Sequence, residues 1–175
     1  QPKTPLPPGS AQFFTKDEAT ITTNHPLSIA ALEILGQAWP NAIHFTELAK
    51  RARAKVGGKA LGNDAQEEMA LAATLLQAHS QSPQLLELHT FEPPVAKQVS
   101  ERPVASKVAR FEAETRATVT NVWHERVSLL PIQQSILRYL DGSRTASELA
   151  KMMRSVLTEK QLNEHLRFFY FASLL

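Results

Sequence analysis

Pro93 and Pro94, near the middle of the 175 residues, interrupt the hydrophobic pattern and constrain the fold of this chain more than any other feature. Adjacent prolines stop helices and strands alike, so they indicate a boundary between domains. Each side then holds about 80 residues, a length at which a small domain still builds a hydrophobic core. The sequence therefore predicts two domains, over residues 13–95 and 96–175, after a proline-rich linker at residues 1–12.

The first half predicts a hairpin, three helices and a strand. Asn24 and Pro26 are typical of a helix start, and Pro40 and the pair Gly57-Gly58 stop the first two helices. The third helix is predicted to bury the apolar side chains Met69, Leu71, Ala72, Leu75 and Leu76. In order, the predicted elements are strands at 13–15 and 19–23 with a turn at 16–18, helices at 26–38, 46–56 and 64–79, and a strand at 85–91.

The second half predicts a similar plan. Thr145-Ala146-Ser147-Glu148 and Thr158-Glu159-Lys160-Gln161 match the capping box, whose two side chains bond free backbone N–H groups at a helix start. The predicted elements are a connecting helix at 104–116 with Val104, Val108 and Phe111 on one face, strands at 119–121 and 126–129, and helices at 131–140, 146–155 and 159–172.

Short strands with three helices, found twice, are in winged-helix order. We therefore predict a mainly α fold with short β strands, an α+β class, built as two tandem winged-helix-like domains. The hydrophobic content of 43% and the charged content of 21% are those of an ordinary globular protein. No stretch approaches a membrane span or a signal peptide, and the lack of cysteine fits a reducing compartment. The predicted location is the cytoplasm.

Side chains for catalysis, metal binding or cofactor binding are missing or poorly spaced. No two of the six histidines stand three or four residues apart, so zinc is not expected. The pair Gly57-Gly58 follows a helix rather than a strand, which favours a helix stop over a nucleotide-binding turn. We therefore predict no catalytic, cofactor-binding or metal-binding residue in these 175 residues.

His124 and Glu125 are the one pair that could act as a base and its orienting partner. Adjacent residues on a strand point to opposite faces, which disfavours that use. The favoured interpretation is that both residues fix the hairpin or a contact between domains.

A winged helix raises the question of DNA binding. The third helix would enter the major groove, yet its residues 64–79 include three acids and no lysine or arginine. Carboxylates close to phosphates oppose the counterion release that drives such binding. One feature favours DNA binding, a basic cluster on and after the second helix that comprises Lys50, Arg51, Arg53, Lys55 and Lys59. The favoured interpretation is that these cations form a solvated helix face.

The sequence therefore favours a role in protein interaction over a role in catalysis. Apolar surface near Trp39 and in the last helix would be covered by another domain or by a second subunit. The predicted interaction surface comprises Trp39, Lys50, Arg51, Arg53, Lys55, His124, Phe168 and Tyr170.

Several short motifs resemble the region that follows the catalytic domain in bacterial S-adenosylmethionine-dependent methyltransferases of the methyltransferase-regulatory-domain family. The motifs that resemble the regulatory domain are Thr22-Thr23-Asn24-His25-Pro26, Trp39-Pro40 and Phe45-Thr46-Glu47-Leu48. Those that resemble the following winged-helix domain are Arg102-Pro103-Val104-Ala105-Ser106, Val119-Thr120-Asn121, His124-Glu125-Arg126-Val127 and Leu140-Asp141-Gly142-Ser143-Arg144-Thr145.

The resemblance implies that the parent is a methyltransferase, of the protein lysine type, whose donor site lies upstream. The absence of an initial Met and the apolar end fit an excised piece. S-adenosylmethionine is implied for the parent but not for these residues. The expected partners are the upstream methyltransferase domain, a protein substrate and a second copy of the chain, without nucleic acid. A winged-helix transcription regulator and a peptide-carrier or assembly module remain the alternative functions.

Overall fold

The computed structural model describes residues 6–14, 19–57, 63–81 and 85–175. The chain divides into two compact units, Gln1–Glu92 (unit 1) and Pro93–Leu175 (unit 2). The identities given above to the two domains, and their limits at residues 13–95 and 96–175, stay predictions.

Unit 1 contains a hairpin and three helices. The strands pair in antiparallel fashion, with Phe13 opposite Ile21. The predicted strands and helices up to the third are confirmed, and the predicted turn at 16–18 lies outside the described residues. The elements are β1 (Ala11–Phe14), β2 (Thr20–Thr23), α1 (Pro26–Ala38), α2 (Phe45–Val56) and α3 (Asp64–Gln81).

Helix α1 does not begin with the predicted Asn24 cap. Pro26 takes the first helical position, and the residue before a proline is held in extended backbone. His25 is therefore the N-cap, at φ −77° and ψ 116°, without a capping bond from its side chain. Helix α2 ends as predicted at Gly57, whose φ of 84° is the left-handed conformation that glycine adopts readily. Gly58 lies outside the described residues.

The core of unit 1 lies among its three helices, but α3 contributes fewer residues than predicted. Leu71 and Leu75 are buried there together with Leu27 of α1. Met69 and Leu76 are instead 74% and 58% exposed. Apolar residues run almost all around α3, and in unit 1 one face of the helix meets the core.

The predicted strand at residues 85–91 is wrong. The described residues there form turns and extended chain outside any sheet. Leu85 and Leu86 pack against the core, while Leu88 and Phe91 are exposed. The alternating apolar and polar residues of this segment are therefore not alternately buried and exposed. The sheet of unit 1 contains only β1 and β2 among the described residues, and this segment pairs with neither strand.

Unit 2 has a short helix, a hairpin and three further helices. Both capping boxes are confirmed, with Thr145 accepting from the Glu148 N–H and Thr158 from the Gln161 N–H. Strands β3 and β4 pair in antiparallel fashion, with Val119 opposite Val127. The elements are α4 (Lys107–Glu112), β3 (Thr118–Thr120), β4 (Arg126–Ser128), α5 (Pro131–Leu137), α6 (Ala146–Met152) and α7 (Glu159–Phe171).

Helix α4 is shorter than predicted, and its expected apolar face points outward. The Ser106 side chain caps the helix by accepting from the Ala109 N–H, which fixes the start at residue 107. The predicted residues Val104, Val108 and Phe111 are exposed, Phe111 by 73%. The core side is formed by small residues that allow close packing: Ala105, Ala109 and Ala113.

The predicted fold class, mainly α with short β strands, is confirmed. None of the helices in the described part of the chain has the length and hydropathy needed to cross a membrane.

Candidate functional site

The first and last motifs of residues 102–145 hold each other in place. The Ala105 N–H donates to the Leu140 carbonyl over 2.7 Å. The Arg102 guanidinium donates from Nη1 to the Ser143 carbonyl, also over 2.7 Å. These bonds satisfy loop carbonyls that would otherwise face water or remain unpaired. Arg102 therefore has a structural role in this loop.

The loop between α5 and α6 is built around Asp141 and Gly142. Asp141 Oδ1 accepts from the Ser143 hydroxyl and from the Ser143 N–H at 2.9 Å, and these bonds hold the pKa of Asp141 below its ordinary value. Gly142 has a φ of 81°. A Cβ atom at Gly142 would lie 2.8 Å from Val104 Cγ2, so this position excludes other residues on two grounds.

Asn121 organises the β3–β4 turn. Its side chain is 6% exposed and makes four hydrogen bonds. Oδ1 accepts from the Trp123 and Glu125 N–H groups at 2.9 Å each. Nδ2 donates to Glu125 Oε2 at 3.0 Å and to the Ala172 carbonyl at 3.2 Å, which ties the turn to the end of α7. Asn121 therefore stabilises the fold of unit 2, a role that its place in the motif did not predict.

His124 and Glu125 lie in the turn between β3 and β4. His124 is exposed at the tip of the turn, in the left-handed region with a φ of 62°. Glu125 instead accepts from the side chain of Asn121. The neighbouring Trp123 donates from its indole nitrogen to the Ser173 hydroxyl over 2.9 Å. The geometry supports a structural use of the hairpin.

Sequence reasoning missed a chain of polar groups in unit 1. His25 Nε2 lies 2.9 Å from Glu67 Oε2, and His25 Nδ1 lies 3.2 Å from the Ser28 hydroxyl. Glutamate, histidine and serine in this order resemble a nucleophilic triad. Ser28, however, is 0% exposed, and its hydroxyl donates to Thr74 Oγ1. No substrate can reach it, so the chain serves to join α1 to α3. In the sequence, the three-residue spacing of His25 and Ser28 was the signal that could have predicted this contact.

Three members of the predicted basic cluster are paired with acids: Arg51, Arg53 and Lys55. Arg51 Nε lies 2.7 Å from Glu47 Oε1, and this hydrogen bond lowers the pKa of Glu47. Arg53 donates to Glu68 Oε1 at 3.2 Å and to the Asp64 carbonyl at 3.0 Å. Arg53 Nε also lies 3.5 Å from Asp64 Oδ1, so Arg53 is paired with two of the acids that disfavoured α3 as a DNA-reading helix.

Lys55 Nζ completes the pattern at 2.7 Å from Glu33 Oε2 on α1. Lys50 is exposed, and Lys59 lies outside the described residues. A neighbouring carboxylate offsets the charge of each paired cation, so Arg51, Arg53 and Lys55 offer little net charge to a phosphate.

The remaining members of the predicted surface are aromatic. Trp39 follows α1 in unit 1 and is exposed. Phe168 and Tyr170 lie on α7, where the Tyr170 hydroxyl donates to the Lys97 carbonyl over 3.2 Å. Tyr170 borders an open groove of about 360 Å³ in unit 2. Among the described residues, no three His, Asp or Glu side chains come together as metal ligands.

Comparison with known proteins gives a consistent assignment. Residues 101–166 match the family described as PKMT, C-terminal winged helix domain. The fold is similar to that of PKMT2 from Rickettsia typhi, with a TM-score of 0.71, 19% identity, and coverage of 95% of this chain and 37% of that one. The complex of PKMT2 from Rickettsia typhi with AdoHcy gives a TM-score of 0.72, 19% identity, and coverage of 89% and 35%.

No curated protein matches the chain significantly. The chain spans little more than a third of the length of the solved structures that it matches. The resemblance to protein lysine methyltransferases is confirmed by these findings. Residues 101–166 of unit 2 are therefore similar to the C-terminal winged-helix domain of the PKMT family.

Proposed function

We propose that these 175 residues are a non-catalytic regulatory and substrate-interaction region of a bacterial S-adenosylmethionine-dependent protein lysine methyltransferase. The match of residues 101–166 to the PKMT winged-helix family is the observation that carries this proposal. The fold similarity to PKMT2, of which the chain spans 37%, supports a larger parent with a catalytic domain upstream.

The use of the polar side chains within unit 2 also supports a non-catalytic role. Arg102, Asn121, Asp141 and Glu125 all bond to other groups of unit 2. A donor site needs a strand followed by a glycine-rich turn, and Gly142 instead follows helix α5 and lies against Val104. S-adenosylmethionine would then be bound by the upstream domain, in the cytoplasm.

The partners in this proposal are the upstream methyltransferase domain and a protein substrate. Both units expose large apolar side chains at helix faces, such as Met69 on α3 and Phe111 on α4. Exposed apolar patches of this kind are typical of surfaces that other proteins cover. Covering them would position the substrate lysine or restrict its access to the donor.

The test is methyl transfer from labelled S-adenosylmethionine to cell-envelope and cytosolic protein fractions. The full parent is compared with a parent that lacks these 175 residues, after donor binding by both has been measured as equal. We expect a changed rate or a changed set of labelled proteins. An unchanged rate and an unchanged set would refute the regulatory role.

The rival class, a winged-helix transcription regulator, predicts salt-sensitive DNA binding that is lost when Lys50, Arg51 and Arg53 are changed together. The ion pairs of Arg51 and Arg53 with α2 and α3 carboxylates weigh against it. The same triple variant, assayed for binding to duplex DNA at low and high salt, separates the two classes.

A further inference from the structure

The groove on α7 combines an apolar wall with positive charge. One side is α7, whose Arg167, Tyr170 and Phe171 share a helix face because they stand three and four residues apart. The other side is the segment at residues 97–99, which is held to α7 by the Tyr170 hydroxyl. The lining residues are Lys97, Gln98, Val99, Arg167, Tyr170 and Phe171.

Arg167 gives the groove its available charge. Its side chain is exposed and makes no ion pair with any residue in the described part of the chain. The groove lining, all of it among the described residues, includes two cations and no acid. Helix α2 differs in this respect, since Arg51 and Arg53 already have carboxylate partners. An anionic group on a ligand would therefore meet uncompensated positive charge at Arg167.

A carboxylate on the ligand fits this groove better than a phosphate. Arg167 lies near the C-terminal end of α7, where the helix dipole is negative and opposes a multiply charged anion. A single carboxylate needs only one planar guanidinium, which it can meet through two parallel hydrogen bonds. The exposed ring of Phe171 and the partly buried ring of Tyr170 provide apolar contact beside it.

We propose that this groove binds a segment of a partner protein in which an aspartate or glutamate stands next to an aliphatic or aromatic residue. The acidic side chain pairs with Arg167, and the apolar side chain lies against Phe171 and Val99. This inference names the kind of partner that the proposed interaction region takes, and to that extent it rests on the proposed function.

The experiment selects ligands for the 175-residue chain from a phage-displayed library of short random peptides. The proposal predicts enriched peptides with an acidic residue beside an apolar one. A fluorescent copy of the most enriched peptide is then titrated against the chain and its variants by anisotropy. For Arg167→Glu we expect binding weakened roughly tenfold or more, because the favourable charge pair becomes a repulsive one.

The matched control is Arg154→Glu, which makes the same charge change at an exposed arginine outside the groove. The affinity of this variant for the peptide should stay within about twofold of the wild type, since an exposed charge that does not line the groove is screened. Repeating the selection on Arg167→Glu should enrich lysine and arginine in place of acids. That charge swap cannot arise from misfolding, because a misfolded variant would lose selection rather than reverse it.

Three results would overturn the proposal: no enriched peptide, enriched peptides without acids, or equal loss of binding in both arginine variants. Displacement of the peptide by inorganic phosphate at much lower concentration than by acetate would also overturn it, in favour of a phosphate site. Peptide binding is measured without methyl transfer, so a failed selection leaves the proposed function standing. An unchanged methylation pattern with intact peptide binding refutes the function alone.

Discussion

Units 1 and 2 are of similar length but differ in what fixes their loops. In unit 2 the loops are held by side chains that bond to backbone groups, as Asn121 does in the β3–β4 turn and Arg102 beside Ser143. In unit 1 an apolar core and ion pairs join the helices, α1 begins without a side-chain cap, and side-chain bonds to backbone groups, such as Arg53 to the Asp64 carbonyl, add to them. Loops of the first kind require particular residue types, and the family match falls in that unit.

The largest expected effect is that of Asn121→Ala in unit 2. The variant leaves two N–H groups and the part-buried Ala172 carbonyl without the partner that Asn121 provides, so we expect a loss of about 3 kcal/mol in the free energy of unfolding. Urea unfolding monitored by circular dichroism measures it. The exposed Asn163→Ala on α7 is the control and should change stability by less than about 0.5 kcal/mol. Equal effects at both positions would mean that the Asn121 network does not hold unit 2 together.

The two units respond differently to the same glycine substitution. Gly142→Ala should destabilise unit 2 by about 2 kcal/mol, since alanine is strained at a φ of 81° and its Cβ meets Val104. Gly36→Ala in α1 should stabilise unit 1 by up to about 1 kcal/mol, because it meets nothing within 4 Å and favours the helix. Thermal unfolding of both variants checks the pair. A Gly142→Ala variant as stable as the wild type would contradict the account of this loop.

A smaller effect is expected from the polar link in unit 1. His25→Ala and Glu67→Gln should each cost about 1 kcal/mol, and the double variant should lose less than the sum, because the two side chains contact each other. A double-mutant cycle in urea gives the coupling energy. A coupling of zero would show that the contact between His25 and Glu67 does not stabilise unit 1.

The smallest effect concerns acid stability of unit 2. The Ser143 hydrogen bonds lower the folded-state pKa of Asp141, so its contribution is present above the unfolded value near 3.8 and is lost as pH falls through the lower folded pKa. Asp141→Asn should make the stability of unit 2 less dependent on pH below that value. Denaturation midpoints at a series of acidic pH values test this. A variant with the same acid dependence as the wild type would exclude Asp141 as a contributor.

The sequence was sufficient for elements whose signals are local. The capping boxes at Thr145 and Thr158 predicted the starts of α6 and α7, and Gly57 predicted the end of α2. These signals work because a cap or a left-handed turn depends on a few neighbouring residues. The cap of α1 was the exception, because Pro26 and not Asn24 decided where the helix begins.

Burial could not be predicted where a helix is apolar on more than one side. On α3 and α4 the pattern offers two possible inner faces, and packing against the rest of the unit decides between them. Met69 and Phe111 were therefore placed inside and are exposed. The bonds from Asn121 to the Ala172 carbonyl and from Arg102 to the Ser143 carbonyl were equally hidden, because these partners lie 51 and 41 residues away along the chain. Distant pairings of this kind follow from the fold and leave no local pattern.

The most direct test of the account is a binding titration of labelled S-adenosylmethionine against the 175-residue chain and against its full-length parent. We propose that the donor site lies upstream and that the motif residues of unit 2 have structural roles. We therefore expect saturable binding of S-adenosylmethionine by the parent and none by the chain. Saturable, stoichiometric binding by the chain alone would contradict the claim that these residues form a non-catalytic region.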